Sequence, residues 1–460
     1  MGIFGSIYTG ASGIQEQSLA LRVTANNVAN LNTTGFKGDR SLFADIFAQA
    51  SGEVFPREKG LGVLFDLTTD FSPGGYETTD IPTDLAIMGR GFFAVSDGTN
   101  TYYTRDGHFL LEETGDNTLR MVTPLGYTLL GADPTASPTN TTQLSPVEIP
   151  RTIAGRGTSR ISLQLNLDAR KETEGTSRRL LEAWDATRPT GPIDSNDYEY
   201  VTSLKVYDPT GVDHLLNLYL DTTDQNNQYE VLLTLADPAE DWRGTGPYAG
   251  ALLWGTLDFG ATGEITQASF YTVNLDGTLT PQDLTQSGTP QFTVNFTGTP
   301  QTIDLDLGFY YDPQGNLVRT PLSSHMYATP FAVLYQNQDG YPPGIFDRVE
   351  IDVDGTVRAF YTNQQSQEVA RIWLADFTGL EDSLDRAGAN LFVPRAGATP
   401  ILLNPGRDSA AALSSGALET SNVDLATEMI HLLTFQRTFQ SSARVITTAD
   451  QMLEDFLRAR

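Results

Sequence analysis

The side chains that most often do chemistry are thinly spread in this chain. Its four histidines, His108, His214, His325 and His431, stand singly, and no H-E-x-x-H or G-x-S-x-G spacing brings a base to a metal or a serine. Cysteine is absent, which excludes a thiolate metal site, a redox pair and a disulfide framework. The stretch "GRGFFA" (89–94) fits the loose dinucleotide fingerprint. That fingerprint works only at a strand-to-helix turn, and here strand-like sequence and turns follow it. "DVDGT" (352–356) has the spacing of two oxygen ligands and a glycine but lacks the distant bidentate acid of a calcium loop, so it reads as a hairpin turn. With 57 acidic residues, chance carboxylate pairs are certain, and sequence promotes none of them to a catalytic dyad. No catalytic residue, metal or cofactor is expected.

Charge narrows the partners. The formal net charge of -28 argues against a nucleic-acid groove and against an anionic membrane surface. The ends are nearly neutral: Arg22, Lys37 and Arg40 face Glu16 and Asp39 in residues 1–40, and four basic residues face six acidic ones in 419–460. Neutral ends crowd together without much repulsion, while an acidic body stays soluble. The start, "MGIFGSIYTGASG", has neither a basic n-region nor a long apolar h-region, so no cleaved signal peptide is expected. No stretch approaches the roughly 20 apolar residues of a spanning helix, so no membrane insertion is expected.

The elements that would position any function lie at the two ends. Ile7, Ala11, Ile14, Ser18, Leu21, Ala25 and Val28 recur at steps of four and three, the seam of a coiled coil. Near the other end, Leu425, Met429, Leu432, Phe439, Ala443, Ile446 and Leu453 share a second heptad seam. Ser421 or Asn422 is expected to cap that helix, with Asp424 in its first turn. Between the ends, alternation in "RISLQLNLDAR", "FTVNF" and "RVEIDVDGTVRAFY", punctuated by Asp-Gly pairs, reads as β. The length of 460 residues suggests roughly three domains. The fold class is therefore α+β, mainly β: terminal helices that pair as a coiled coil, and β-rich domains between them. The helical stripes cannot bury themselves alone; they need each other or other copies.

"TGASGIQEQSLALRVTANNVANLNTTGFKGDR" resembles the N-terminal motif of the bacterial flagellar rod and hook axial protein family. "GALETSNVDLATEMIHLLTFQRTFQSSARVITTADQMLEDFL" resembles its C-terminal motif. "TDLAIMGRGFFAV", "YTRDGHFLL" and "DGYPPGIFDRVEIDVDGTVRAFYTNQQSQEVARIWLADF" resemble segments of its first β domain. These matches cover roughly half the chain. A large insert between the halves of that domain is characteristic of the family's hook branch. The resemblance implies terminal helices over 1–34 and 418–460, an extended linker over 35–80, a first β domain over 81–150 and 322–417, and an outermost β-rich insert over 151–321.

It also implies a structural, non-enzymatic subunit. Its homopolymer would be a helical, flexible, curved tube joining rod to filament and transmitting torque. A distal rod protein is the alternative, and a secreted β-rich polysaccharide-active enzyme a remoter one. The implied partners are copies of itself, the distal rod, hook-capping and hook–filament junction proteins, and the flagellar type III export apparatus. The implied location is the extracellular hook of the bacterial flagellum. Family members that cross-link through cysteine have no counterpart here. On this reading the subunit interface takes Ile7, Ile14, Leu21, Val28, Leu425, Met429, Leu432, Phe439, Ile446 and Leu453 from the seams. The amides of Asn26, Asn27 and Asn30 would bond neighbouring subunits. Asn30 and Asn32 would leave the helix in the left-handed conformation, Gly35 would turn the chain sharply, and Phe36 would anchor it.

Overall fold

The computed structural model describes residues 3–45, 63–171, 179–407 and 411–458. The expected linker over 35–80 lies partly outside these residues. Two long helices, Ile3–Ala29 and Leu425–Arg458, bracket a chain built mainly of strands, so the fold is α+β and mainly β. Backbone contacts divide it into two compact units. One comprises 1–151, 346–361 and 365–460; the other comprises 152–345 with 362–364, and is inserted into the first.

The inserted unit contains a six-stranded meander in chain order: Tyr200–Tyr207, Asp213–Thr222, Gln228–Leu235, Ala251–Phe259, Ile265–Val273 and Leu279–Pro281. Every neighbour pair in it is antiparallel. A five-stranded sheet shares its core, with Arg160–Asp168 flanked by Gln301–Asp306 and His325–Tyr327 in parallel and by Ala332–Gln338 antiparallel. Alternate residues of both sheets, including Leu163, Leu165, Leu218, Leu220, Val231, Leu233, Phe292 and Ile303, meet in one buried cluster. The period of two in "RISLQLNLD" is the signature of this half-buried strand.

The insert therefore continues past residue 321. His325–Tyr327 and Ala332–Gln338 both pair with Arg160–Asp168, and the recognisable first-domain sequence resumes only in the strand Gly344–Ile351. The alternation that marks that later strand is legible, whereas the long-range pairing that keeps 322–343 in the insert leaves no local trace.

In the other unit, the two halves of a β domain meet across the insert. Leu374 and Ala375 pair with Phe93 and Phe92, and Leu391 and Phe392 pair with Thr104 and Tyr103. Phe92, Tyr103, Phe377 and Phe392 close the core with edge-on ring contacts to one another, and Phe71 packs against them from the segment after the N-terminal helix. The Asp-Gly pairs behave largely as read: 97–98, 276–277 and 354–355 turn between antiparallel strands. Asp106-Gly107 is different. Its glycine lies so close to the carbonyl of Leu85 that a Cβ would stand 1.7 Å from that oxygen. "GRGFFA" runs straight into the strand Phe92–Ser96 with no helix behind it, so the dinucleotide geometry is not formed. Residues 39–45 and 63–69, within the expected linker, form an antiparallel pair.

At the border of the insert, the amide of Phe346 donates to the carbonyl of Arg151 at 2.8 Å, so the outgoing and returning chain are already adjacent within the first unit. Deleting 152–345 and joining Arg151 to Phe346 through a short glycine linker should leave a protein with native-like far-UV circular dichroism and a single cooperative thermal transition. A product without cooperative unfolding would count against this boundary.

Candidate assembly interface

The two long helices pack antiparallel. A Cβ on Gly10 would lie 2.9 Å from Ile446 Cγ1, one on Gly13 would lie 3.1 Å from Ser442 Oγ, and Asn27 Nδ2 donates to Glu428 Oε1 at 3.0 Å. The covered line of the N-terminal helix is Gly10, Gly13, Gln17, Ala20, Thr24 and Asn27, at heptad steps of three and four. Most of these residues are small, and small residues let two helix backbones approach closely. The opposing line, equally regular, is Glu428, Leu432, Phe435, Phe439, Ser442, Ile446, Ala449 and Leu453.

Within one chain, the expected seam residues divide. Leu432, Phe439, Ile446 and Leu453 lie on the covered line, whereas Leu425 and Met429 stay 43% and 45% exposed. Ile7, Ile14, Leu21 and Val28 are half-buried and flank the small-residue line one position further on. The heptad is present, but the side that faces the partner helix is the side with the small residues. Hydrophobic periodicity overlooks that side because glycine and threonine contribute little to it.

The helix ends in a polar junction. The amide of Asn30 shares the carbonyls of Asn26 and Asn27, and Leu31 donates to Val28, a tightening by i→i+3 bonds. Neither Asn30 nor Asn32 has a positive φ, so the expected left-handed exit through them is not formed; Gly35, at φ +65°, makes the turn. A Cβ there would stand 2.5 Å from the amide of Asp106. Asn27 is buried and uses both ends of its amide on one residue: Nδ2 donates to Asp39 O at 2.8 Å, and Asp39 N donates to Oδ1 at 3.0 Å. Asn30 Nδ2 donates to Asn26 O at 2.9 Å, while Asn26 and Asn32 are exposed. Phe36 is buried, with the guanidinium of Arg386 over its ring at 5.0 Å.

Beyond the turn lies a buried ionic node. Lys37 Nζ meets Glu419 Oε1 at 2.5 Å, and neither side chain is exposed. Arg105 Nη1 donates to Glu419 Oε2 at 3.0 Å, and the amide of Gly74 donates to Oε1 at 3.1 Å. Lys37 also donates to Ser72 O at 2.8 Å, and Arg105 Nη2 to Gly89 O at 2.7 Å. Burial by itself raises the Glu419 carboxyl, but Arg105 and Lys37 outweigh it and hold the group below its usual range. Burial lowers the Lys37 ammonium, with Glu419 opposing.

Asn422 completes the junction, accepting from Gly38 N at 2.8 Å and donating to Asp70 O at 2.8 Å. It is therefore not the helix cap. That role falls to Asp424, whose Oδ1 accepts from Thr427 N at 2.8 Å, as expected of an aspartate just ahead of the first turn. Sequence reasoning missed the node. Lys37 and Glu419 are far apart in the chain, and the signal that could have found them is that each lies inside one of the quoted terminal motifs.

Replacing Lys37 with Met should destabilise this unit by about 3–5 kcal/mol, because it leaves Glu419 with one cation instead of two. The acid limb gives a second readout. A carboxyl whose folded pKa is depressed adds stability above its unfolded value of about 4.3, and this is lost as pH falls through the lower folded value. Glu419→Gln should therefore flatten part of the decline in unfolding free energy below about pH 4.3, as measured by urea titration across pH. An unchanged slope would mean the node contributes nothing.

Four family models match this chain in order. They are the flagella basal body rod protein over residues 7–37, the flagellar hook protein FlgE/F/G D1 domain over 86–164, the flagellar basal body protein FlaE D2 domain over 166–341, and the flagellar basal body rod FlgEFG protein C-terminal over 414–459. The chain is 29% identical over 456 residues to the flagellar hook protein FlgE of Salmonella typhimurium, covering 98% of each. It is also 29% identical over 481 residues to that of Treponema pallidum, again covering 98% of each. For that of Escherichia coli the values are 29% over 459 residues, with 98% of each covered. The matches at the two ends take in most of the long helices, the D2 match lies within the inserted unit, and the D1 match starts in the first unit and runs past its border at Arg151. With relatives that align nearly end to end, the chain belongs to the flagellar rod and hook protein family, whose relatives here are structural hook proteins.

Proposed function

We propose that this chain polymerises into the flagellar hook, a curved tube that flexes as it turns and carries torque from rod to filament. The observation that carries the reading is the half-exposed stripe of Ile7, Ile14, Leu21 and Val28 beside an already closed helix pair. A stripe of this period, left over after the chain has satisfied its own packing, suits helices of neighbouring copies. Leu425 and Met429, exposed on the C-terminal helix, extend that apolar surface. On this reading Asn26 and Asn32, exposed beside the buried Asn27, hydrogen-bond between copies, while Asn27, Asn30, Gly35 and Phe36 shape the junction within each copy.

The helices line the inner wall and the β-rich parts of the chain stand outward. Bending on rotation requires each row of subunits to shorten on the inside of the curve and lengthen on the outside once per turn. Polar, acidic outer surfaces suit that motion, because exposed ionic contacts are weak and exchange readily. The distal rod, the hook cap and the hook–filament junction proteins are the axial partners of such a tube. Passage through the flagellar type III apparatus takes the chain to the extracellular hook.

Leu21→Asp tests the stripe. The variant should fold, with thermal stability close to that of the parent, yet form no tubes by electron microscopy at concentrations where the parent assembles. Each copy loses about 1.5–3 kcal/mol of side-chain burial and gains a charge at the contact. Normal tubes from Leu21→Asp would reject the assignment of the stripe to the subunit interface.

A further inference from the structure

The inserted unit contains a cleft of about 700 Å³ bounded by Trp242, Arg243, Asn274, Gln286, Gln291 and Thr293. Its size lies within the roughly 300–1,000 Å³ range of small-ligand sites. We infer that this cleft binds a neutral carbohydrate, a short oligosaccharide whose ring stacks on Trp242.

The argument starts from the tryptophans. Trp184, Trp254 and Trp373 are buried, and two of them pack in the insert's second hydrophobic cluster or bond within it. Trp242 is 50% exposed at the cleft. An exposed indole offers a flat apolar face together with a donor N–H, which matches a pyranose ring with its face of C–H groups and rim of hydroxyls.

The walls are polar and firmly held. In the strand Gln291–Val294, Phe292 and Val294 point into the core, so the pleat turns Gln291 and Thr293 outward. Gln291 Nε2 donates to Asp304 Oδ1 at 2.8 Å, and Asn274 Nδ2 donates to Thr278 Oγ1 and Thr280 Oγ1 at 2.9 and 3.0 Å. With these amide nitrogens committed, the amide oxygens are the groups left to accept from sugar hydroxyls. Thr293 and Thr302 add hydroxyls to the same wall.

Charge disfavours the other ligand classes. The one guanidinium in the cleft, Arg243, commits four of its five N–H donors: Nε and Nη2 pair with Asp241, Nη2 also donates to Ala251 O, and Nη1 donates to Val273 O. It has no free edge for a phosphate or carboxylate. Asp283, the cleft's carboxylate, is engaged by the amide and hydroxyl of Thr285. An anion finds no free pair of donors on that guanidinium, and a cation finds a single, solvent-exposed carboxylate with no second acid beside it in the cleft.

The full-length chain can be titrated with chitotriose, cellotriose and maltotriose. Because the other three tryptophans are buried, the fluorescence change reports Trp242. The expected result is a saturable blue shift with at least one trisaccharide, with binding weakened at least tenfold in Thr293→Val and, by equilibrium dialysis because the reporter is removed, lost in Trp242→Ala, with both variants retaining the parent's circular dichroism. Equilibrium dialysis of Thr293→Val gives an independent value should Trp242→Ala fail to fold. No saturable response to any of the three sugars, or equal binding by the parent and Thr293→Val, would overturn the inference. So would a folded Trp242→Ala that loses tube formation while the parent binds no sugar, because the cleft would then be a contact between copies.

Discussion

A buried carboxylate with no exposed edge must find its compensation inside the protein, and Glu419 finds it in two cations and an amide from three separate stretches of chain. Lys37 arrives from the end of the N-terminal helix, Gly74 from the segment before the first β domain, and Arg105 from within that domain. Glu419 itself sits just ahead of the C-terminal helix. Desolvating such a charge costs several kcal/mol, which only a complete set of partners offsets. The node therefore specifies that all four segments converge, and the helix pair and the β domain are oriented from it. Asn27 and Asn422 reinforce the same meeting through bonds to the backbone of Asp39, Gly38 and Asp70.

Much of this architecture was legible in the sequence, for identifiable reasons. Strand alternation in 160–168 and the Asp-Gly turns at 97–98 and 354–355 are local signals, and local signals survive without tertiary context. The heptad period at both ends was equally plain. Its phase was not, because the N-terminal contact line runs through Gly10, Gly13 and Thr24, residues that a search for apolar stripes passes over. The ionic node was illegible for a different reason: nothing in the neighbourhood of Lys37 says that its partner is Glu419. The far boundary of the insert misled for a related reason, since parallel pairing of His325–Tyr327 with Arg160–Asp168 joins segments with no shared local pattern.

The division of labour between the helix faces has a physical logic. A small-residue line makes a close, well-defined contact inside one chain, and bulky residues displaced by one position leave apolar area for a second contact. Had the large residues faced inward, each chain would have satisfied itself and left less surface for association.

The node also has a kinetic side. Tyr76–Thr78 pairs with Ala417–Glu419, and Leu85–Gly89 pairs with Ala411–Ser415, so the early part of the β domain finds its edge partners only in the last stretch before the C-terminal helix. Contacts this remote in sequence close slowly, because the entropy of the intervening loop must be overcome first. Until residues 411–419 are made, Tyr76–Thr78, Leu85–Gly89 and Lys37 lack these partners. The order of synthesis thus lets the insert gather its own core first and leaves this part of the first unit to close late.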